Sequence, residues 1–150
     1  MGSGLGSQAK LSRPEDAGFS SERLGRITQF FPDGSSDEGL YSFAAGQDAN
    51  GGAASFSDQF IFVPNPSCLP AQGVWQRTGD KTFIGTHEGF CYDAANGYAP
   101  AGKVKFRYSL TLGDTSLSGR LHIDGIDPNG NVVFSADGLL RGVRMRAEAP

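Results

Sequence analysis

Two adjacent residues, His87 and Glu88, carry the most versatile acid–base chemistry in this sequence. Both lie within residues 81–92, where the side chains alternate in the way that predicts a β-strand. Successive side chains of a strand point to opposite faces, so only one of the two residues faces the protein interior. Both faces of the segment are partly apolar, and the alternation therefore leaves the choice between them open.

The two orientations predict different sites. With Glu88 inside, its carboxyl group lies among apolar side chains, which disfavour the charged form and make it a general acid or base near neutral pH. Those neighbours are Ile84, Phe90 and Tyr92. With His87 inside, an imidazole takes that place, and Gly85 and Gly89 leave room beside it for a ligand. A surface position or a hydrogen-bonded core position is the plain structural alternative for each residue.

Tyr108 is the third candidate catalytic residue. It lies on the apolar face of residues 103–112, the most regular alternation in the chain, so its hydroxyl should meet a partner or a ligand inside. Packing alone is the structural alternative, and Trp75 is likewise predicted as a core residue first and a pocket wall second. The candidate ligand-binding residues are all aromatic: Trp75, Phe106, Phe60, Phe90 and Tyr92.

A row of phenylalanines precedes these candidates. Phe56, Phe60 and Phe62 share one face of a predicted strand and are expected to line the interior. Asp58 interrupts that row on the same face, where it would be a buried acid.

Short strands must position all of these side chains. The 22 glycines and 8 prolines fit a chain with frequent turns. Hairpin-type turn signals divide it at Asp33-Gly34, Asn50-Gly51-Gly52, Asn96-Gly97, Asn129-Gly130 and Asp137-Gly138. Between them lie strand candidates near residues 26–31, 39–45, 54–63, 73–78, 81–92, 103–112, 116–124, 131–136 and 138–146.

This series of strands predicts an all-β protein, a closed antiparallel barrel of about eight strands. The short links favour a meander barrel over a sandwich. A capped segment at residues 14–27 predicts a short N-terminal helix. We therefore expect a flexible leader with a short helix over residues 1–25 and a β-barrel domain over residues 26–150.

Composition limits the partners. With 13 basic against 16 acidic side chains and a pI near 5.3, the chain lacks the basic excess of a nucleic-acid binder. No apolar run approaches the length of a membrane helix, and the N-terminus lacks the features of a secretory signal. We expect a cytoplasmic protein, with secretion still allowed if a signal was removed, and a homo-oligomer is also allowed.

The two cysteines and two histidines predict little metal or redox chemistry. Cys68 and Cys91 are too few for a thiolate metal site, and two free, buried thiols are expected from the compartment. A single bridge forms only if the proline-rich segment around Cys68 folds over the strand that holds Cys91. No cofactor and no metal are expected.

Several motifs carry a family resemblance. They are the run GVWQRTGDKTF at residues 73–83, Tyr92-Asp93, the strand at residues 103–112 and DPNGNVVF at residues 127–134. Together they resemble a group of small uncharacterised bacterial β-barrel proteins and, more remotely, the barrel shared by allene oxide cyclases, dirigent proteins and other calycin-like proteins such as lipocalins. The resemblance covers residues 26–146 and implies a barrel that encloses a ligand; it assigns no catalytic residue.

A second, local resemblance lies at the N-terminus. Residues 13–27 are similar to the start of serine hydrolases related to class C β-lactamases. Those enzymes need a Ser-x-x-Lys motif after this segment, and the one such motif, Ser7–Lys10, precedes it. We therefore expect no hydrolase activity.

The leading hypothesis is a barrel that binds a small apolar or aromatic molecule. In its enzyme form the barrel acts as a cofactor-free cyclase, isomerase or lyase in a dry cavity, with one acid–base group. The alternatives are a non-catalytic lipocalin-like carrier and a structural or assembly module. A cavity that contains Glu88 or His87 favours the enzyme, an apolar cavity favours the carrier, and a packed interior favours the module.

Overall fold

The computed structural model describes residues 22–44, 46, 50–58 and 67–150. Nearly all of this part of the chain is β-strand. A single turn of 3₁₀ helix, Ala94–Asn96, lies between the sixth and seventh strands. The strands are β1 (Glu22–Phe30), β2 (Ser36–Ala44), β3 (Gly51–Asp58), β4 (Ser67–Cys68), β5 (Ala71–Arg77), β6 (Thr82–Asp93), β7 (Ala99–Leu112), β8 (Ser116–Ile126) and β9 (Val132–Arg144).

The strands form a closed antiparallel barrel with eight positions around its circumference. Apart from the short β4, each strand pairs with the next along the chain, with β3 pairing to β5, and β1 pairs with β9 to close the sheet. The short β4 and the following β5 pair with successive parts of β6, so they share one position in the barrel. The prediction of a closed meander barrel of about eight strands is confirmed.

Alternation determines which side chains fill the barrel. On β7 the residues Val104, Phe106, Tyr108, Leu110 and Leu112 are all buried, while the basic side chains between them face outward. The apolar row predicted on this strand therefore faces the interior. Burial of such a row removes several large side chains from water, and each contributes roughly 1.5–3 kcal/mol to folding.

Two interior tyrosines lie across glycines on the neighbouring strand. Tyr108 is opposite Gly85, and a Cβ at Gly85 would overlap the Tyr108 ring and its hydroxyl oxygen. Tyr41 is opposite Gly25, where a Cβ would overlap the Tyr41 ring in the same way. A missing side chain lets a large ring lie against the partner strand, and it helps a sheet to curve into a barrel.

The two ends of the barrel differ. At one end Trp75 is buried against the edge of Phe83, with ring centroids 5.6 Å apart, and its indole N–H donates to the Ala44 carbonyl at 2.9 Å. At the other end β9 is longer than its neighbour, because β1 pairs only with Leu139–Arg144 while β8 pairs from Val132 onward. We call this second end the mouth.

The expectation of two free thiols is wrong, because Cys68 and Cys91 form a disulfide. The two residues are directly opposite each other in the β4–β6 pairing. The expectation rested on the cytoplasmic compartment, whereas strand pairing brings the two side chains together. Disulfides are more typical of oxidising compartments than of the cytoplasm.

Two local predictions are also wrong. The helix predicted over residues 14–27 fails at its second half, because residues 22–27 belong to β1; residues 14–21 lie outside the described part. The turn predicted at Asp137-Gly138 is absent, and β9 continues through both residues. Gly138 instead lets the end of β1 pack closely against β9, because a Cβ at this position would lie 3.0 Å from the Phe30 carbonyl oxygen.

Candidate functional site

The structure decides between the two faces of β6. His87 is buried on the inner face, and Glu88 points outward, where its carboxylate accepts from Lys103 at 3.0 Å and lies 3.5 Å from the Lys105 ammonium. The bond from Lys103 is the main reason that the pKa of Glu88 is lowered. The interpretation of Glu88 as an interior acid is therefore wrong, because the parity of β6 places it on the surface.

Phe90 and Tyr92 share the outer face with Glu88 and do not line the interior. Phe90 is 66% exposed, and Tyr92 is partly exposed. Their predicted roles as pocket walls therefore fail for the same reason of parity. Phe60 and Phe62 lie outside the described residues, as does the side chain of Asp58, while Phe56 is buried in the barrel as expected.

His87 and Tyr108 form the polar centre of the interior. Their rings stack with centroids 5.1 Å apart and planes inclined by 25°, and Phe56 lies beside His87 at 6.3 Å. Neither the His87 Nε2 nor the Tyr108 hydroxyl has a hydrogen-bond partner among the described residues. Buried polar atoms are normally paired, so these two atoms are exceptions within the described part of the chain.

Burial keeps both groups neutral. It lowers the pKa of His87 to about 4 and raises the pKa of the Tyr108 hydroxyl above its ordinary value. Each shift has desolvation as its cause, because an apolar environment disfavours the charged form. At pH 7 the His87 imidazole and the Tyr108 phenol are therefore both neutral. Both can form hydrogen bonds, and the pKa of each lies away from neutral pH.

The cavity beside this pair is small. It has a volume of about 20 Å³, which is enough for a single water-sized group. Another polar pair lies nearby, since the Gln29 side chain lines the cavity and donates to the Asp37 carboxylate at 2.8 Å. The remaining lining is apolar or aromatic: Ile27, Tyr41, Phe43, Phe56, Phe106, Leu110, Leu121 and Leu140. The described interior is thus packed rather than hollow.

A larger cleft of about 480 Å³ lies at the mouth. The cleft lies between the turn after β1 and the part of β9 that extends beyond β1. Its floor is formed by the buried Phe106 and Ile123. Its walls and rim are Phe31, Pro32, Asp33, Ser35, Phe134, Ser135, Ala136 and Asp137. We call this space the mouth cleft.

Phe106 is the residue that the mouth cleft and the interior cavity share. It lies between Ile123 on β8 and His87 on β6 in the strand register. The three side chains therefore lead from the mouth cleft, across the Phe106 ring, to the polar pair. Of the predicted wall residues, Phe106 is the one that the structure places at both spaces; Trp75 lines neither.

The rim of the mouth cleft carries negative charge. Asp33 and Asp137 are the charged residues among its described lining. Hydrogen bonds from the Ser35 side chain and backbone lower the pKa of Asp33. Asp137 contacts the Nδ1 of His122 at 2.7 Å, and the Nε2 of the same ring contacts Asp124 at 2.9 Å. The bond to Asp137 contributes most to the raised pKa of His122.

The outward basic face is an ion-paired surface. Arg107 donates to the Asp124 carboxylate, which also accepts from Ser135 at 2.6 Å. These contacts bind β7, β8 and β9 together outside the barrel. Among the described residues no group of three or more potential ligands is placed to hold a metal ion.

Sequence reasoning missed the mouth cleft and the Gln29–Asp37 pair. Ile123 carried a signal, because it lies on the inward parity of its strand. The cleft itself arises because β9 extends beyond β1, and no motif in either segment marks that difference in length.

Comparison with known proteins assigns no family to this chain. No protein-family model matches the chain, and no curated protein matches it. One solved structure, described as a redesigned β-barrel, is similar over 89% of this chain and 96% of its own, at 16% identity and a TM-score of 0.44. Within the described residues no helix is long and apolar enough to cross a membrane.

Proposed function

We propose that this barrel binds a small, mostly apolar molecule in the mouth cleft and performs no chemistry on it. The observation that carries the proposal is that the mouth cleft combines a ligand-sized volume with a floor of two buried apolar side chains, Phe106 and Ile123. Ligand sites in proteins measure roughly 300–1,000 Å³, and the mouth cleft of about 480 Å³ falls in that range while the interior cavity of about 20 Å³ does not.

The floor of the cleft supplies the affinity. Phe106 and Ile123 present apolar surface that belongs to the buried core, and Phe31 and Phe134 stand at the sides. A ligand of eight carbon atoms that gains about 0.6 kcal/mol per atom would bind with about 5 kcal/mol, a dissociation constant on the order of 0.2 mM. Two acidic side chains on the rim disfavour an anionic ligand.

The interior pair argues against the cyclase, isomerase or lyase alternative. General acid–base catalysis works best when the pKa of the catalytic group lies near the working pH. Burial shifts His87 to about 4 and Tyr108 upward, which moves both away from neutrality. Phe106 also lies between the pair and the mouth cleft. These two facts favour the carrier over the enzyme.

Ethylbenzene is a suitable probe. Its binding is measured by ¹H–¹⁵N NMR titration of the uniformly labelled protein. We expect the largest shift changes at the described lining of the mouth cleft, above all at Ile123 and Ala136. In the Ala136→Leu variant the added side chain fills part of the cleft and should weaken binding about tenfold. Ala53→Leu is the matched control, because Ala53 is an exposed alanine on β3.

Three results would overturn the proposal. They are no saturable binding of ethylbenzene, shift changes centred elsewhere on the barrel, and equal effects of the two alanine variants. Absence of any binding would favour the structural module, which the packed interior also fits.

A further inference from the structure

We infer that one outward face of the barrel docks on a lipid bilayer that contains anionic phospholipids. The face lies on three neighbouring strands, with β9 in the middle and β1 and β8 on either side. The inference goes beyond the proposed function and does not depend on it, because it concerns the outer surface of the barrel. We call this surface the arginine face. Its nine outward side chains are Arg26, Thr28 and Phe30 on β1, Leu139, Arg141 and Val143 on β9, and Ser116, Ser118 and Arg120 on β8.

The strand register sets the three arginines of this face in a diagonal row. Arg26 is opposite Val143 on β9, and Arg120 is opposite Leu139 on the same strand. Arg141 lies midway between those two β9 residues, so Arg26 and Arg120 are its diagonal neighbours. Diagonal neighbours on adjacent strands are roughly 7–8 Å apart, which places the three arginines within about 16 Å of one another.

The positive charge of this row is not compensated within the described part of the chain. None of the three guanidinium groups has an ion-pair partner among the described residues. The basic side chains of β7 differ, because Lys103 and Lys105 contact Glu88 and Arg107 contacts Asp124. On a chain with a net charge of −3, three uncompensated cations concentrate positive potential on one face.

Acidic side chains border the arginine face but are not part of it. Glu38 on β2 is opposite Thr28, and Asp137 comes two residues before Leu139 on β9. Asp137 contacts the Nδ1 of His122 at 2.7 Å. An anionic surface laid on the face therefore meets cations across its centre and acids only at two of its edges.

The same face also exposes apolar surface, and this favours a bilayer over other polyanions. Phe30, Leu139 and Val143 are 40%, 55% and 54% exposed. A nucleic acid would use the cations and gain little from an exposed leucine and valine. The interface of an anionic bilayer binds both kinds of side chain, because guanidinium groups bond phosphate in pairs and apolar side chains enter the boundary of the acyl chains.

The fold disfavours two protein partners at this place. Two copies related by a two-fold axis would bring the same face together and set arginine against arginine. An extended peptide needs an open strand edge, whereas the β9 segment Leu139–Val143 pairs with β1 on one side and with β8 on the other. The arginine face therefore offers side chains alone, which is how a peripheral protein contacts head groups.

Sedimentation with large unilamellar vesicles tests the inference on the full chain. One set of vesicles is phosphatidylcholine alone, and the other contains about one quarter phosphatidylglycerol. We expect binding to the anionic vesicles at about 0.1 M NaCl, at least tenfold weaker binding at about 0.5 M, and none to phosphatidylcholine alone. The salt dependence follows because the face is exposed and its charges are screened.

Two matched variants each remove three positive charges. The first carries Arg26→Gln, Arg120→Gln and Arg141→Gln, and the control carries Lys103→Gln, Lys105→Gln and Arg107→Gln. Both have the same net charge, so a difference between them reports the position of the charges. Each basic residue beside an anionic bilayer strengthens binding roughly fivefold, so the first variant should bind about a hundredfold more weakly. The control should stay within about threefold of the wild type.

The apolar contribution has its own matched pair. Leu139→Ser with Val143→Ser should weaken binding to the anionic vesicles about fivefold. Val74→Ser with Ile84→Ser is the control, because these two side chains are exposed on β5 and β6, and it should leave binding unchanged. Melting curves check that all four variants fold. If the triple arginine variant does not, Arg141→Gln alone replaces it, with an expected loss of about fivefold.

Several results would overturn the inference. They are no binding to the anionic vesicles, equal binding to both kinds of vesicle, and equal effects of the two variants within either pair. A single-stranded oligonucleotide or a poly-glutamate peptide that binds more tightly than the anionic vesicles would assign the face to another partner. A dimer that the arginine variant dissociates, measured by sedimentation equilibrium, would assign it to a second copy. Each of these leaves the mouth-cleft proposal standing, because ethylbenzene binding is measured without lipid.

Discussion

Acidification should destabilise this barrel through His87 specifically. In the folded protein the pKa of His87 is about 4, against 6.5 for the free side chain, because its site excludes water. Between these values the unfolded chain binds a proton that the folded chain does not. Linkage then requires that stability falls as the pH falls through this window and is fully present above pH 6.5.

The size of the effect follows from the two pKa values. One unit corresponds to 1.36 kcal/mol, so the loss amounts to about 2 kcal/mol at pH 5 and about 3 kcal/mol at pH 4. For a chain of this length each kcal/mol lowers the melting temperature by roughly 2–4 °C. At pH 5 we therefore expect a decrease of about 4–8 °C from this group alone.

The chain offers a matched control, because it has only two histidines. His122 lies on the surface with a raised pKa, so its contribution has the opposite sign: it is present at low pH and is lost as the pH rises. The His87→Gln variant should lose the acid-induced decrease, while His122→Gln should retain it. Melting curves recorded by circular dichroism between pH 4 and 7 measure the difference. The carboxylates titrate in the wild type and in both variants, so their effect is common to all three proteins.

Two observations would contradict the neutral, desolvated state of His87. One is a set of parallel melting-temperature profiles for the wild type and His87→Gln. The other is a His87 ring that titrates near pH 6.5 in the folded protein by NMR, since that would show a hydrated imidazole.

Two further predictions concern stability. Reduction of the Cys68–Cys91 bond, or the paired change Cys68→Ala and Cys91→Ala, should lower the free energy of unfolding by about 3 kcal/mol and the melting temperature by about 6–12 °C. The reason is that the 23-residue separation sets the entropy that the unfolded chain regains. An unchanged melting temperature, measured on protein whose two thiols can be alkylated, would contradict the bond. Gly85→Ala should cost about 1–3 kcal/mol because its Cβ would meet the Tyr108 ring. The control Gly125→Ala, with its nearest contact at 3.3 Å, should cost less, and equal denaturation midpoints would count against the tyrosine-over-glycine packing.

Much of the fold could be predicted because it depends on local patterns. The alternation over residues 103–112 places a row of five side chains inside whatever the neighbouring strands do. Asp33-Gly34, Asn96-Gly97 and Asn129-Gly130 were correct turn signals, since each contains a glycine with positive φ. Asp137-Gly138 has the same composition but lies within β9, where the absent side chain serves packing instead of turning the chain.

The candidate site could be predicted only in part. The alternation of β6 shows that His87 and Glu88 face opposite ways, but the direction depends on pairing with β5 and β7. Tyr108 and Phe106 were placed correctly because one face of their strand is clearly polar. Phe90 and Tyr92 were not, since an aromatic side chain on a half-apolar strand fits either face equally well.

By itself the amino-acid sequence therefore determined the class of the protein, its meander of short strands and the inward row of β7, because hydrophobic periodicity and turn residues act over a few positions. The tertiary structure alone decided that His87 is inside, that Cys68 reaches Cys91, and that a cleft opens where β9 extends beyond β1. Each of these depends on the register between strands distant in the chain, and register is set by how all eight positions of the barrel close together.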